Sequence, residues 1–395
     1  LNKLENAIVN GNHVYITDTR FNRSDRSYPA HGINIANENA RSTLPRSNNI
    51  ILSNNLIVGT GAGIRYWHDT RGGYEDNNYR DFQVVNNVII GTHKQPIDFE
   101  DVPSDYIQPS NATLHNNIIF RGLNGDKGNI GDLSAWTISH NNWPDGIPSF
   151  AQEPNSFSAD PMFVNPDFLG DATGFQLQEG SSSIGRGTSI NDVPADFWGN
   201  AHASQPSLGI HEGAAGTVNP NPTPNPTPNP TPNPGEGTTN RAPGLYVATN
   251  GSDSTGNGSW ENPYRTIEKA ASKASAGQTV YVRGGTYTQV MQTVKANGTS
   301  NDWITIRPYE NEQVILDGEG AGIDESKSII NISGSSYVIF QGFEVRNSTG
   351  RGISVYESEH IIIRDNKVHD VQTRGIGGSG HYLTFEGNEV WNAVR

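Results

Sequence analysis

The chain has 395 residues and carries a formal charge of −14, with only 33% hydrophobic residues, 44 glycines, 23 prolines and no cysteine. So many helix-breaking residues exclude a helical bundle, the missing basic stripe argues against a nucleic-acid partner, and no apolar run reaches the ~20 residues of a membrane span. Asn and Gly, which tolerate positive φ, point instead to strands joined by tight turns.

In chain order, the first half repeats one unit: "IILSNNLIVG" (50–59), "FQVVNNVIIG" (82–91), "ATLHNNIIFRG" (112–122) and "WTISHNNWPDG" (136–146). Each is a short β-branched strand, an Asn turn and a second short strand. Taking the second Asn of each pair gives a column of Asn55, Asn87, Asn117 and Asn142. Residues 157–213 lose this rhythm, with "DPMFVNP", "FQLQEGSSSIGRG" and "LGIHE".

Residues 217–243 are a Pro/Thr/Asn-rich linker. Beyond it, residues 244–290 read as a strand, a Gly-Ser-Asn-Asp loop, an amphipathic helix over 264–275 burying Ile267, Ala270, Ala271 and Ala274, and another strand. The Asn-turn unit then returns in "VIFQGFEVRNS" (338–348), "IIIRDNKVHDV" (361–371) and "LTFEGNEVWNAV" (383–394), placing Phe343, Asn366 and Asn388 in one column. A second column runs through the Gly-Ile steps of "AHGINI", "GAGIRY", "GRGISV" and "TRGIGG". A period of ~20–30 residues with two or three strands predicts the coils of a parallel β-helix, all-β, whose aligned Asn side chains form a hydrogen-bonded ladder.

"YVATNGSDSTGNG…NPYRTIEKA" and "TVYVRGGTY" resemble the N-terminal cap of secreted right-handed parallel β-helix proteins, the pectate lyase-like group. That group holds polysaccharide-processing enzymes and many members without known activity. Residues 157–213 resemble its C-terminal tail, with "SSSIGRG" where the family pattern has "SPAIDAG". The resemblance implies a right-handed solenoid with one short capping helix, in inverted order: 1–216 as the C-terminal half, 244–395 as the N-terminal half. Leu1 is not a start methionine, so the chain is expected to be processed, excised or a piece of a longer one.

Three arrangements follow from the inversion. The halves close on each other within one chain, as in a circular permutant; the linker spans roughly 80 Å against about 50 Å for ten stacked coils, and joining 395 to 1 puts Asn12 nineteen residues after Asn388. Alternatively, the halves pair head-to-tail between copies of the chain, giving a filament, or the chain is cut from a tandem array. The expected function on the last two is an extracellular surface or fibre protein completed end-to-end.

The rival expectations are a polysaccharide lyase or related carbohydrate-active enzyme acting on acidic glycans, and a glycan-binding module without turnover. A lyase needs a cation against the uronate carboxylate and a base for the C5 proton. Arg351, Arg374 and His31, one per coil if the halves stack, are the candidate catalytic column. Tyr66, Trp67, His68 and Asp69 are candidates for ligand binding, Tyr66 and Trp67 by stacking on sugar rings. Asp98, Glu100 and Asp101 are candidates for holding Ca²⁺. No nucleophile triad, zinc spacing or phosphate loop is present, nor the Tyr-Gly-x-Asp-Pro-His run of the alginate-epimerase branch. The missing cysteines and the Pro-Thr linker fit an extracellular, prokaryotic protein.

Overall fold

The computed structural model describes residues 1–17, 29–37, 47–68, 79–102, 104, 108–167, 171–213, 241–318 and 323–394. The linker core at 214–240 therefore lies outside the described residues. The chain divides into two compact units, Leu1–Pro220 with Gly378–Arg395, and Asn221–Gly377. Each is a parallel β-helix, as the repeat predicts.

In the first unit, one sheet runs in the order Trp136–Ser139, Ser110–His115, Arg80–Val85, Asn48–Ser53, Leu4–Asn10, Ile376–Glu386. A second runs Ile118–Ile119, Val88–Ile90, Leu56–Val58, His13–Tyr15, Glu389–Ala393. A third runs Asn129–Ile130, Ile97–Phe99, Ile64–His68, Ile33–Asn37. Side chains alternate across each strand. Ala7, Val9, Ile50, Leu52, Phe82, Val84, Ala112 and Leu114 are accordingly buried inside the coils, while Ile8 points outward and is exposed.

The Asn turn is built from two adjacent positions. The first takes the left-handed conformation: Gly387, Gly11, Asn54, Asn86, Asn116 and His140 have φ between 54° and 64°. The second turns its carboxamide inward. Each Nδ2 donates to the next Oδ1 at 3.0 Å along Asn388, Asn12, Asn55, Asn87, Asn117 and Asn141. Each Oδ1 also accepts the backbone N–H of the preceding ladder residue, at 2.9–3.1 Å.

The ladder ends on Asn141, not on the expected Asn142. Ala112 pairs with Trp136, so the strand register places Asn141 opposite Asn117, and His140 fills the left-handed position. Asn142 instead donates to Ser183 Oγ at 3.0 Å in the tail and accepts the Ala159 N–H at 3.1 Å.

The chain's first strands pair with its last. Leu4 lies opposite Gly380 and Ile8 opposite Thr384, while His13 lies opposite Glu389 and Tyr15 opposite Trp391. The seam is stapled by Asn388 donating to Asn12, by Tyr15 Oη donating to Glu389 at 2.8 Å and by the Tyr15 and Trp391 rings stacked at 5.7 Å. The edges expected to stay open for pairing between copies are thus used within one chain, which removes the basis on which end-to-end fibre completion was expected.

The described residues of the tail, 157–167 and 171–213, cover the outer face of the second sheet. Phe163, Phe175, Leu177, Leu208 and Ile210 pack against Leu56, Val58, Val88, Ile90 and Ile118. The alternate residues Ile57 and Ile89 point inward, where no room exists for a side chain at the Gly-Ile steps. A Cβ on Gly32 or Gly63 would sit 2.5 or 2.4 Å from the Cγ2 of Ile57 or Ile89.

In the second unit one sheet runs Arg351–Arg364, Ser336–Gln341, Ile304–Pro308, Thr279–Val282, Leu245–Val247, and another Lys367–Val371, Glu344–Ser348, Val314–Asp317, Gly285–Tyr287. The capping helix is shorter than the predicted 264–275: it spans Ile267–Ala271, with the Thr266 side chain capping the Lys269 N–H. Ile267, Ala270 and Ala271 are buried, whereas Ala274, past the helix end, is only half-buried. Phe343 takes the ladder position as expected, its N–H donating to Asn366 Oδ1 at 3.1 Å.

Two outcomes test this account. Replacing Asn87 by Ala leaves the Asn55 N–H and one Asn55 Nδ2 hydrogen without their acceptor and takes the Nδ2 donor away from Asn117 Oδ1 and the Leu52 carbonyl, all in a dry interior. Urea unfolding is expected to show a loss of about 2–4 kcal/mol; a change within about 0.5 kcal/mol would mean the ladder is ornamental.

The second concerns His13 at the seam. Burial lowers its pKa from 6.5 to about 4, against the opposing pull of Glu389 and Asp171. The folded pKa lies below the unfolded one, so this contribution is complete above pH ~6.5 and fades as pH falls toward 4, by at most about 3 kcal/mol. Burial also lowers His93, His115 and His211, so the readout is a difference: His13→Gln should flatten the fall in unfolding free energy between pH 6.5 and 4 relative to the parent. An unchanged slope would place the ring in water.

Candidate functional site

The aromatic candidates separate. Tyr66 is not available to a sugar ring: it is fully buried, packs edge-on to Tyr79 at 4.6 Å and stacks on Phe99 at 6.0 Å. Its hydroxyl accepts from Asn37 Nδ2 at 2.9 Å, and burial drives its pKa well above the usual range. The strand Ile64–His68 explains this, because alternation sends Ile64 and Tyr66 inward and leaves Arg65 and Trp67 half-buried. His68 closes that strand; its side chain and Asp69 lie outside the described residues.

The acidic candidates are already answered by a cation. Arg65 and Asp98 are direct partners on adjacent strands. Arg65 Nε lies 3.0 Å from Asp98 Oδ2, and its Nη2 bonds Glu100. A guanidinium held by two carboxylates takes the place the Ca²⁺ was expected to fill, and Asp101 stands apart, exposed beyond the strand end. Among the described residues no group of three or more His, Asp or Glu is placed to hold a metal ion.

The cationic column keeps its two arginines. The Gly352 N–H donates to the Arg374 carbonyl at 3.0 Å, and that of Ile353 to the Gly375 carbonyl at 3.0 Å. Arg351 and Arg374 therefore sit at the same station of consecutive coils. One coil earlier the station is Ser328, directly opposite Arg351, beside the exposed Lys327. The Arg351 N–H donates to the Lys327 carbonyl at 2.8 Å. Arg351 Nη1 bonds the Tyr356 hydroxyl. Exposed Asp324 feels both Lys327 and Arg351; its pKa is lowered first by hydrogen bonds from Ser326 and then by these cations. His31 belongs to the other unit, and its Nδ1 accepts the Ala62 N–H at 2.9 Å.

A second charged assembly escaped the sequence reading. On the outer face of Val314–Asp317, Glu344–Ser348 and Lys367–Val371, Asp317 pairs with Arg346 and Arg346 with His369 in register. Arg346 bonds Asp317 at 2.8 Å and Glu344 at 2.7 Å, which raises its pKa, Asp317 contributing most. His369 Nδ1 lies 2.8 Å from Asp370 and its Nε2 3.5 Å from Glu344. Only the coil register, not a motif, brings these residues together. Lys327 was missed for the same reason, since it precedes the aligned station by one residue.

Residues 245–393 match the family described as Pel9A-like, right handed beta helix region, a stretch that contains Lys327, Arg351 and Arg374. The chain is 38% identical over 149 residues to the uncharacterized protein YwoF of Bacillus subtilis, covering 35% of this chain and 31% of that protein. It is 32% identical over 164 residues to pectate lyase PEL9 of Emericella nidulans, covering 37% and 40%. The chain thus spans less than half the length of either relative. Among solved structures, pectate lyase Pel9A matches at 22% identity and a TM-score of 0.29, covering 35% of this chain and 37% of that one. The PL6 family alginate lyase AlyGC matches at 12% identity and a TM-score of 0.26 across 98% of this chain and 59% of its own. The chain is thus a right-handed parallel β-helix similar over part of its length to pectate lyases. No helix among the described residues is long and apolar enough to cross a membrane.

Proposed function

We propose that this is an extracellular carbohydrate-active β-helix that engages an acidic polysaccharide along the column of Lys327, Arg351 and Arg374 and cleaves it as a lyase. The observation that carries the reading is the placement of Arg351 and Arg374 at one station of successive coils, with Lys327 beside the preceding station. Neighbouring strands repeat every ~4.8 Å, so the column offers one cation per coil to a polymer that bears one carboxylate per sugar. The similarity to a pectate lyase supports the same reading.

In this mechanism the guanidinium groups hold uronate carboxylates through paired N–H donors. Tyr356 fixes the position of Arg351 by the bond to Nη1. Neutralising the carboxylate acidifies the C5 proton. Lys327, which unlike arginine can give up its own proton, is the base. The C5 proton passes to the amine, the C4–O bond breaks, a C4–C5 double bond forms, and the departing oxygen takes a proton from water.

The test is incubation with polygalacturonate and alginate, followed by ultraviolet absorbance of the unsaturated product. Arg374→Ala is expected to lower kcat/KM by roughly 10²–10³-fold with the unfolding transition unchanged, and the exposed Arg121→Ala to leave it unaffected. Binding without product would leave a glycan-binding module. Neither binding nor product on either polymer would contradict the assignment.

A further inference from the structure

Lys327 does not lie on a strand. It ends the turn 323–327, just before the strand Ser328–Ser333. Of that turn only Ile323 is buried; Asp324, Glu325, Ser326 and Lys327 are exposed. Side-chain packing therefore does little to fix it, and its backbone is held instead. The Lys327 N–H donates to the Asp324 carbonyl at 2.8 Å. The Asp324 carboxylate accepts the Ser326 N–H at 2.8 Å and the Ser326 hydroxyl at 2.6 Å. The Lys327 carbonyl accepts the Arg351 N–H at 2.8 Å, and the Ile323 carbonyl accepts the Thr349 hydroxyl at 2.5 Å.

Thr349, Gly350 and Arg351 thus form the seat of this turn, and Gly350 is its point of closest approach. A Cβ there would sit 2.5 Å from the Lys327 carbonyl oxygen, 2.6 Å from that of Asp324 and 2.9 Å from Ile323 Cγ2. Gly350 has no positive φ, so space alone demands glycine. The strand side of this contact is the firmer one. The Gly350 N–H donates to the buried Ser348 Oγ at 3.0 Å, and the Ser348 carbonyl accepts the Gln372 N–H at 2.8 Å. The Gly352 and Ile353 N–H groups bond the next coil at 3.0 Å. A side chain at 350 would therefore lift the turn rather than the strand. The lift is about 0.9 Å, the difference between 2.5 Å and the 3.4 Å at which ordinary contact begins.

We infer that Gly350 is a positioning residue for the proposed reaction: it lets the turn settle against the coil and so sets where the Lys327 amine stands relative to the Arg351 and Arg374 guanidinium groups. The inference rests on the reading of Lys327 as the base. Proton abstraction needs the amine within hydrogen-bond reach of the C5 proton, and a misplacement of about 1 Å costs roughly 10²-fold in rate. The arginines keep their station when the turn lifts, because that station is set by the bonds between Gly352, Ile353 and the next coil. Binding and chemistry therefore separate at this position: the polymer is still held, and proton transfer slows. Thr349 acts in the same sense through the Ile323 carbonyl.

Steady-state kinetics of the full chain test this, read by ultraviolet absorbance on whichever of polygalacturonate and alginate the parent cleaves. Gly350→Ala is expected to lower kcat by roughly 10²-fold with KM within about twofold. Thr349→Val, at an exposed position and adding no bulk, should lower kcat roughly fivefold and answers the question even where Gly350→Ala does not fold. In a Lys327→Ala background neither change should lower the residual rate further, because both act through the lysine. An equal fall with and without Lys327, or a rise in KM with kcat kept, would make the role structural and overturn the inference. So would both variants turning over as fast as the parent. Lys327→Ala as fast as the parent, or no product from the parent on either polymer, would instead defeat the reading of the base, and this inference with it.

Discussion

The rest of the first unit depends on a line of carboxamides. In the dry interior of a solenoid an Asn side chain has two N–H donors and one oxygen to satisfy. Stacking at a common turn does this with repeated 3.0 Å bonds from Asn388 through Asn12 to Asn141. Each carboxamide also binds backbone, so a coil shifted by one residue would strand several polar groups at once. The ladder therefore sets register, and register decides which outward residues share a column. It also crosses the seam between the chain's last coil and its first, where Asn388 donates to Asn12. The residues at 2–15 and 378–394 thus behave as successive coils of one solenoid.

Much of this was legible because the turn imposes a strict chemistry. Only Gly, Asn or another αL-tolerant residue suits the first turn position, and Asn recurs at the second, so the coils could be counted from sequence. The one error in the column shows its limit. In "WTISHNNW" two Asn residues compete, and His140 rather than Asn141 takes the left-handed position. Strand pairing decides between them, and strand pairing is not local. The predicted helix ran too long for a related reason: alanine periodicity continues to Ala274, but the chain leaves the helix at Ser272 and turns toward the next coil.

The candidate sites show the same division. The aromatic run at 66–69 looked like a sugar platform because its composition suits one, yet alternation in its strand buries Tyr66 beside Tyr79 and Phe99. The acids at 98–101 suited calcium until the register set Arg65 opposite Asp98. Arg351 and Arg374 share a station of successive coils because their Gly-Ile context fixes the coil position, the same signal that located the Asn column. The Asp317–Arg346–His369 network left no local trace, since it is assembled by register.

The claim on which the account rests most heavily is that the seam closes within one chain. The protein contains no cysteine, so a pair introduced at Ile8 and Thr384, direct partners on adjacent strands with outward side chains, reports on it without interference. Mild oxidation followed by non-reducing electrophoresis and light scattering is the most direct measurement. The account predicts a monomer cross-linked to itself, of the same mass as the reduced protein. A ladder of covalent multimers, reduced to monomer by thiol, would show that the seam is made between chains.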